Sequence, residues 1–193
     1  MENRKSLLIV ISGPSGVGKD AILARMKQAG KPYFFAVTAT TRPQRKGEID
    51  GVDYYFVSKE IFKRMIEREE LLEWATVYGN LYGIPRKPVE QALSDGKDVI
   101  VKVDIQGAAT IKRIEPEAIL IFVSPSSMEE LQRRLTERKT ESGTDLELRL
   151  ETAQEEMKSL PSFDHIVVNK EDGLDGAISQ IETAIQTGKA STL

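Results

Sequence analysis

The segment GPSGVGKD, from Gly13 to Asp20, follows an apolar run and leads into a helical pattern. In that strand, glycine loop, helix order, Gly13, Pro14, Ser15, Gly16, Val17 and Gly18 form a loop whose backbone N–H groups wrap a phosphate at the positive end of the helix. Lys19 reaches the outer phosphates. Asp20 stands where such loops normally carry a Ser or Thr that binds Mg²⁺. A carboxylate can ligate Mg²⁺, but it also sets negative charge beside a triphosphate, and in a first helical turn it suits the helix dipole without any metal. A second set, Arg42 and Arg45 with Tyr54 and Tyr82, supplies two planar forks and two phenol donors, a combination suited to a dianionic phosphomonoester. Two exposed arginines in a turn are the plain alternative for the first pair.

These groups need a scaffold. Leu7 to Ile11, Val99 to Val103, Ile119 to Val123 and Ile166 to Val168 are apolar runs that read as buried parallel strands. Charged segments with helical spacing alternate with them: 20–28, 87–93, 128–138, 145–158 and 174–186. The alternation predicts an α/β fold, a P-loop NTPase-type parallel sheet flanked by helices. Residues 33–84 are richer in Thr, Tyr, Phe and Val, and predict a small, mostly β insertion. Segment 138–145 is polar and sits between two helices, as either a lid or an ordinary surface loop, and the tail after Gly188 reads as frayed. One domain is expected over 1–193: a core of about 5–32, 85–130 and 158–187, an inserted lobe of about 33–84, and a helical lid of about 131–157.

Composition narrows the chemistry. At 193 residues and 40% hydrophobic content the chain can bury one sizeable core. A net charge of -3 offers no general attraction for a nucleic acid polymer. With no cysteine and a single histidine, disulfides and Cys- or His-based metal clusters are excluded. Leu7 to Ile11 is too short for a secretory leader, and no run approaches the roughly 20 apolar residues of a membrane span, so a cytoplasmic location is expected. Nothing announces a symmetric hydrophobic interface, so a monomer or weak homodimer is expected.

With TATTRPQRKGEIDGVDYYFVS, Thr38 to Ser58, the sequence resembles guanylate kinase, a family of P-loop nucleoside monophosphate kinases. The match continues through LLEWATVYGNLYG (71–83), VDIQGA (103–108), LQRRLTERK (131–139) and IVVN (166–169), from about Leu7 to about Ile185. The resemblance implies transfer of the γ-phosphate of ATP to GMP with Mg²⁺ as cofactor, and makes 33–84 the GMP-binding lobe. It assigns Arg42, Arg45, Tyr54 and Tyr82 to the GMP phosphate. It makes Glu73 the guanine reader, since a carboxylate accepts from both the ring N1–H and the exocyclic amine, whereas adenine presents an acceptor at N1. Alone, a Glu in EREELLEW is most often a solvated helix charge. Thr38 matches a Ser that contacts the base, and Asp104 a contact to guanine or the acceptor nucleotide. Arg134, Arg138 and Arg149 match lid and catalytic arginines, and Asn169 a position near the adenine. His165 reads as a partly buried structural residue, and Trp74 as a packing anchor for the pocket wall.

Three positions depart from the family pattern. Asp20 replaces the usual hydroxyl. Ile84 stands where a Ser or Thr follows the YG pair, removing a donor to the guanine carbonyl at roughly 0.5 to 1.5 kcal/mol. Lys102 replaces an acid two residues before Asp104. Asp20 and Lys102 are expected to pair near the β- and γ-phosphates, with drift in an enzyme of reduced activity as the plain alternative. The departures leave open a shifted acceptor, such as dGMP or IMP, and a catalytically weak nucleotide- or protein-binding module.

Overall fold

The computed structural model describes residues 6–137 and 143–191. In chain order its strands are β1 (Leu8–Ser12), β2 (Tyr33–Phe35), β3 (Thr38–Thr40), β4 (Tyr54–Phe56), β5 (Leu71–Val77), β6 (Asn80–Pro85), β7 (Asp98–Lys102), β8 (Ile119–Pro125) and β9 (His165–Asn169). The helices are α1 (Lys19–Gln28), α2 (Lys59–Glu67), α3 (Arg86–Ser94), α4 (Ile105–Ile114), α5 (Met128–Glu137), α6 (Gly143–Met157) and α7 (Leu174–Ser191). Every residue of β1 and of β8 is buried, as strands covered on both faces require. The larger sheet has the order β2-β7-β1-β8-β9, parallel and flanked by helices, which is the α/β architecture expected from the apolar runs.

The chain forms two compact units. The first comprises the described residues of Met1–Val10 with Pro32–Ala118. Here α3 packs on β7 through Val89 and Ala92, and α4 starts where the Asp104 side chain accepts from the Gly107 N–H at 2.8 Å. The unit also holds a four-stranded sheet of order β4-β3-β6-β5. Its β5–β6 hairpin turns on Tyr78 and Gly79, both with positive φ (47° and 75°), the type I′ condition that matches strand twist. The second unit comprises Ile11–Lys31 with the described residues of Ile119–Leu193. In it α7 packs on α1, β8 and β9, and α5 packs on α6 and β8.

Several elements differ from the sequence-based expectation. Tyr33–Phe35 is an edge strand of the large sheet, in register with Asp98 to Ile100, rather than part of the insertion. The insertion contains a nine-residue helix, α2, capped by the Ser58 hydroxyl accepting from Ile61 N–H. Its buried Phe62 forms a small core with Ala39 and Leu71. Helix α4 was not expected, because Gly107 and several β-branched residues lower its propensity; the Asp104 cap and buried Ala108 and Ile111 carry it. Helix α7 continues to Ser191 instead of fraying after Gly188. Arg138 and most of the polar 138–145 stretch lie outside the described residues. Among the described residues no helix is long and apolar enough to cross a membrane.

Candidate active site

In the second unit, the loop after β1 is built from backbone. Gly13 sits at φ 134°, and a Cβ there would lie 2.2 Å from the Val123 carbonyl oxygen, so only glycine lets the chain leave β1 this close to β8. Gly18 closes the loop at φ 100° and no side chain caps α1, so the first N–H groups of that helix are presented at its positive end. The Lys19 ammonium donates to the carbonyls of Gly13 and, at 2.9 Å, Pro14. Asp20 is exposed on the first turn of α1.

One carbonyl fixes the middle of the loop. Val17 is fully buried, and its oxygen accepts from Asn169 Nδ2 at 2.8 Å and from Arg134 Nη1 at 3.1 Å. Arg134 Nη2 also donates to the Asn169 carbonyl at 3.1 Å and to the buried Glu130 carboxylate, which in turn accepts from Ser126. Arg134 and Asn169, assigned by resemblance to phosphate and adenine, are therefore brought together as braces of the loop backbone. Arg149 on α6 reaches Ser15, with Nη1 donating to Oγ at 3.4 Å.

In the first unit the candidate groups are side chains. The buried β3 ends in Thr40, whose Oγ1 donates to the Leu81 carbonyl at 3.0 Å and accepts from the Arg42 N–H at 3.1 Å. The turn that follows is organised by Glu48. One of its carboxylate oxygens accepts from Arg42 Nη2 and the other from the Arg45 N–H, each at 2.7 Å. Burial works against ionisation of Glu48, but these two arginines hold it below the usual carboxylate range. Burial likewise opposes the charge on Arg42, and hydrogen bonding to Glu48 with the charges of Tyr82 and Glu48 more than offsets it. The Arg42 guanidinium lies 5.3 Å from the Tyr54 ring centroid, and the Tyr54 and Tyr82 rings meet edge to face at 6.2 Å. Lys102 Nζ donates to the Tyr54 hydroxyl at 2.6 Å.

Alternation along β5 sends Leu71, Glu73 and Ala75 inward and Trp74 outward. Glu73 is 5% exposed, and its Oε2 has no hydrogen-bond partner among the described residues. Burial above all, and then the Asp104 charge, raise Glu73 to about 8. Two neighbours shape this environment. Ile84, fully buried, is its cross-strand partner on β6, and a Cβ on Gly107 would fall 2.7 Å from Oε2. Thr38 is buried on β3, in register with Tyr54.

The structure thus gathers Arg42, Arg45, Tyr54 and Tyr82, and separately Glu73 with Asp104. Asp104 has a further duty as the α4 cap, with Oδ2 accepting from Gln106 at 3.3 Å. Trp74 is 47% exposed on the face opposite Glu73, which corrects its reading as a packing anchor of the pocket wall. His165 opens β9 half-buried, as expected. Glu48, Thr40 and the Lys102 to Tyr54 bond were missed. Glu48 alone left a signal, an acid three residues after Arg45 in a glycine turn. Among the described residues no group of three or more His, Cys, Asp or Glu side chains is arranged to hold a metal.

Comparison with known proteins adds an independent finding. Residues 5–188 match the family model described as Guanylate kinase. "Guanylate kinase 2, chloroplastic/mitochondrial" of Oryza sativa subsp. japonica is 50% identical over 185 residues, which cover 95% of this chain and 65% of that protein. A guanylate kinase of Carboxydothermus hydrogenoformans is 41% identical over 185 residues, covering 96% of this chain and 90% of the relative. The crystal structure of guanylate kinase from Anaplasma phagocytophilum superposes with a TM-score of 0.79 at 32% identity, covering 96% of this chain and 87% of that one.

Proposed function

The chain belongs to the guanylate kinase family, and from that premise we propose that it is an ATP:GMP phosphotransferase, moving the γ-phosphate of ATP to GMP to give ADP and GDP. The observation that carries the reading to this chain's own residues is Glu73, a buried carboxylate with one oxygen unpartnered among the described residues. Guanine offers it two N–H donors in one plane, and a base without them leaves the buried oxygen unpaired.

Phosphoryl transfer asks the protein mainly for alignment and charge stabilisation. The loop N–H groups and Lys19 bind the β- and γ-phosphates of ATP. Arg42, whose guanidinium Glu48 holds, and Arg45, whose backbone N–H the same carboxylate accepts from, align the GMP phosphate as nucleophile, with Tyr54 and Tyr82 donating to its remaining oxygens. Thr38 and Asp104 line the base side. Arg149 is assigned to the transferring phosphate, whereas Arg134 and Asn169 act by holding Val17. The insertion that follows β2, as far as residue 84, is the acceptor lobe, and 131–157 take the lid role that excludes water.

The donor set fits a Mg²⁺ ion that arrives with the nucleotide. Mg²⁺ is held by one or two carboxylates plus substrate phosphates rather than by a protein cage, and Asp20 places one exposed carboxylate directly after Lys19. When bound, the ion neutralises phosphate charge, and Asp20 would be its protein ligand. The protein is read as a cytoplasmic monomer or weak homodimer.

The test is ADP release with ATP, Mg²⁺ and each of GMP, dGMP, AMP, IMP and UMP, with Lys19→Ala as control. The expected result is GMP-dependent turnover that the control loses. Nucleotide binding without turnover on any acceptor would move the chain to the weak binding modules of this fold.

A further inference from the structure

Lys102 ends β7, half-buried at the carboxyl edge of its strand, where α/β sheets gather ligand-binding groups. Its ammonium lies 2.6 Å from the Tyr54 hydroxyl oxygen and 4.4 Å from the centroid of the Tyr54 ring. An ammonium has three donors and no acceptor, so the direction of this bond is fixed: Nζ donates and the phenol oxygen accepts. The phenol proton must then point away from Lys102. A hydroxyl that accepts from a cation is also the stronger donor, because each bond polarises the next. Tyr54 is also met by the Arg42 guanidinium, 5.3 Å from the ring centroid, and by the Tyr82 ring at an interplanar angle of 69°. The ring therefore sits among these neighbours, and Lys102 orients its O–H.

We propose that Lys102 is a positioning residue of the acceptor site, which orients and polarises the Tyr54 hydroxyl as a donor to the phosphate of the acceptor nucleotide. The proposal rests on the ATP:GMP reading above and adds to it a residue that acts on GMP affinity through a second side chain. It also separates two duties of positive charge in this pocket: Arg42, fixed by Glu48, confronts the phosphate directly, whereas Lys102 works through a phenol. A Lys102 that merely joined β7 to β4 would leave a different signature. Its loss would lower stability and disturb catalysis whether or not the Tyr54 hydroxyl were present.

A double-mutant cycle separates the two cases. GMP KM, ATP KM and melting temperature are measured for the wild type, Lys102→Met, Tyr54→Phe and the double variant. Lys102→Met is expected to raise GMP KM about tenfold, within the range for a charge-assisted hydrogen bond, and to leave ATP KM within about twofold. In the Tyr54→Phe background the same substitution should change GMP KM less than about twofold, because the group it acts through is gone. Lys102→Arg, which keeps a cationic donor, should recover most of the affinity, and Lys102→Gln substitutes in the cycle if the Met variant does not fold. Equal losses in both backgrounds, or an unchanged GMP KM in Lys102→Met, would overturn the proposal. Absence of GMP turnover in the wild type would instead defeat the kinase reading, so the two failures are distinguishable.

Discussion

In the loop after β1, the groups proposed to face an anion are backbone N–H groups at a helix start, set by glycine geometry and one braced carbonyl. In the proposed acceptor pocket they are side chains: the Arg42 guanidinium held by Glu48, a phenol that accepts from Lys102 and a buried carboxylate. The first design is indifferent to pH and intolerant of volume. The second tolerates small changes of shape but depends on which protons are in place. Triphosphates are alike beyond the sugar, so a fixed cradle serves them; a base must be told from its competitors, which needs groups whose hydrogen-bonding sense can be wrong.

The substitution expected to do most damage is Gly13→Ala. Its Cβ would meet the Val123 carbonyl oxygen at 2.2 Å from a backbone with φ 134°, so no rotamer relieves the clash. Calorimetry should find a loss of about 3 kcal/mol or more, and turnover should fall by at least ~10³-fold. If Gly13→Ala kept near-normal ATP affinity, the cradle would not be set by that contact.

Next in size is Glu73→Gln, which replaces one acceptor with a donor facing guanine's own donors. GMP kcat/KM should fall by about 10² to 10⁴, with the loss for AMP far smaller. The same variant tests the protonation state. The folded carboxyl, at about 8, lies above its unfolded value, so between the ordinary carboxylate range and about pH 8 the native state holds the extra proton. Stability must therefore fall as pH rises through that window, and Glu73→Gln should flatten the decline in melting temperature between about pH 5 and about pH 9. GMP binding, which needs the ionised carboxylate, should tighten over the same range in the wild type. A wild-type KM for GMP that is independent of pH would show that Glu73 is already ionised.

The smallest effect belongs to Ile84→Thr. The position is fully buried opposite Glu73, so a hydroxyl there costs about 1 to 2 kcal/mol of stability while restoring a donor near the base carbonyl. Preference for GMP over AMP should improve by about two- to tenfold, measured as the ratio of kcat/KM values. No change in that ratio would place the Ile84 side chain out of reach of the base.

How much of this was readable from sequence follows the same division. The glycine loop is contiguous, so GPSGVGKD with an apolar run before it and a helical pattern after it declared its place between β1 and α1. The strands β1, β7 and β8 were equally plain, because buried parallel strands leave unbroken apolar runs, whereas β9, read as buried, is an edge strand that leaves Ile166 52% exposed. The acceptor residues were found through resemblance, but their supports were not. Thr40 holding Arg42 through its backbone, Glu48 bridging two arginines, and Lys102 reaching Tyr54 across 48 positions depend on folded proximity that no local pattern encodes. Arg134 and Asn169 read as ligand groups only through the family resemblance; that both meet at Val17 is visible only in three dimensions. Trp74 was misread although the signal was present, since alternation from inward Glu73 turns it to the outer face.

The Val17 carbonyl has one more consequence. Its two donors come from residues 117 and 152 positions later in the chain. During synthesis β1 and α1 emerge early, yet the bonds that fix the loop between them must wait, one until α5 and the other until β9 has left the ribosome. Contacts of such long sequence separation form late in folding, after the entropy of closing the intervening chain has been overcome. A chain truncated before Asn169 would therefore carry the whole glycine-loop motif in its sequence and lack one of the two donors that hold the Val17 carbonyl.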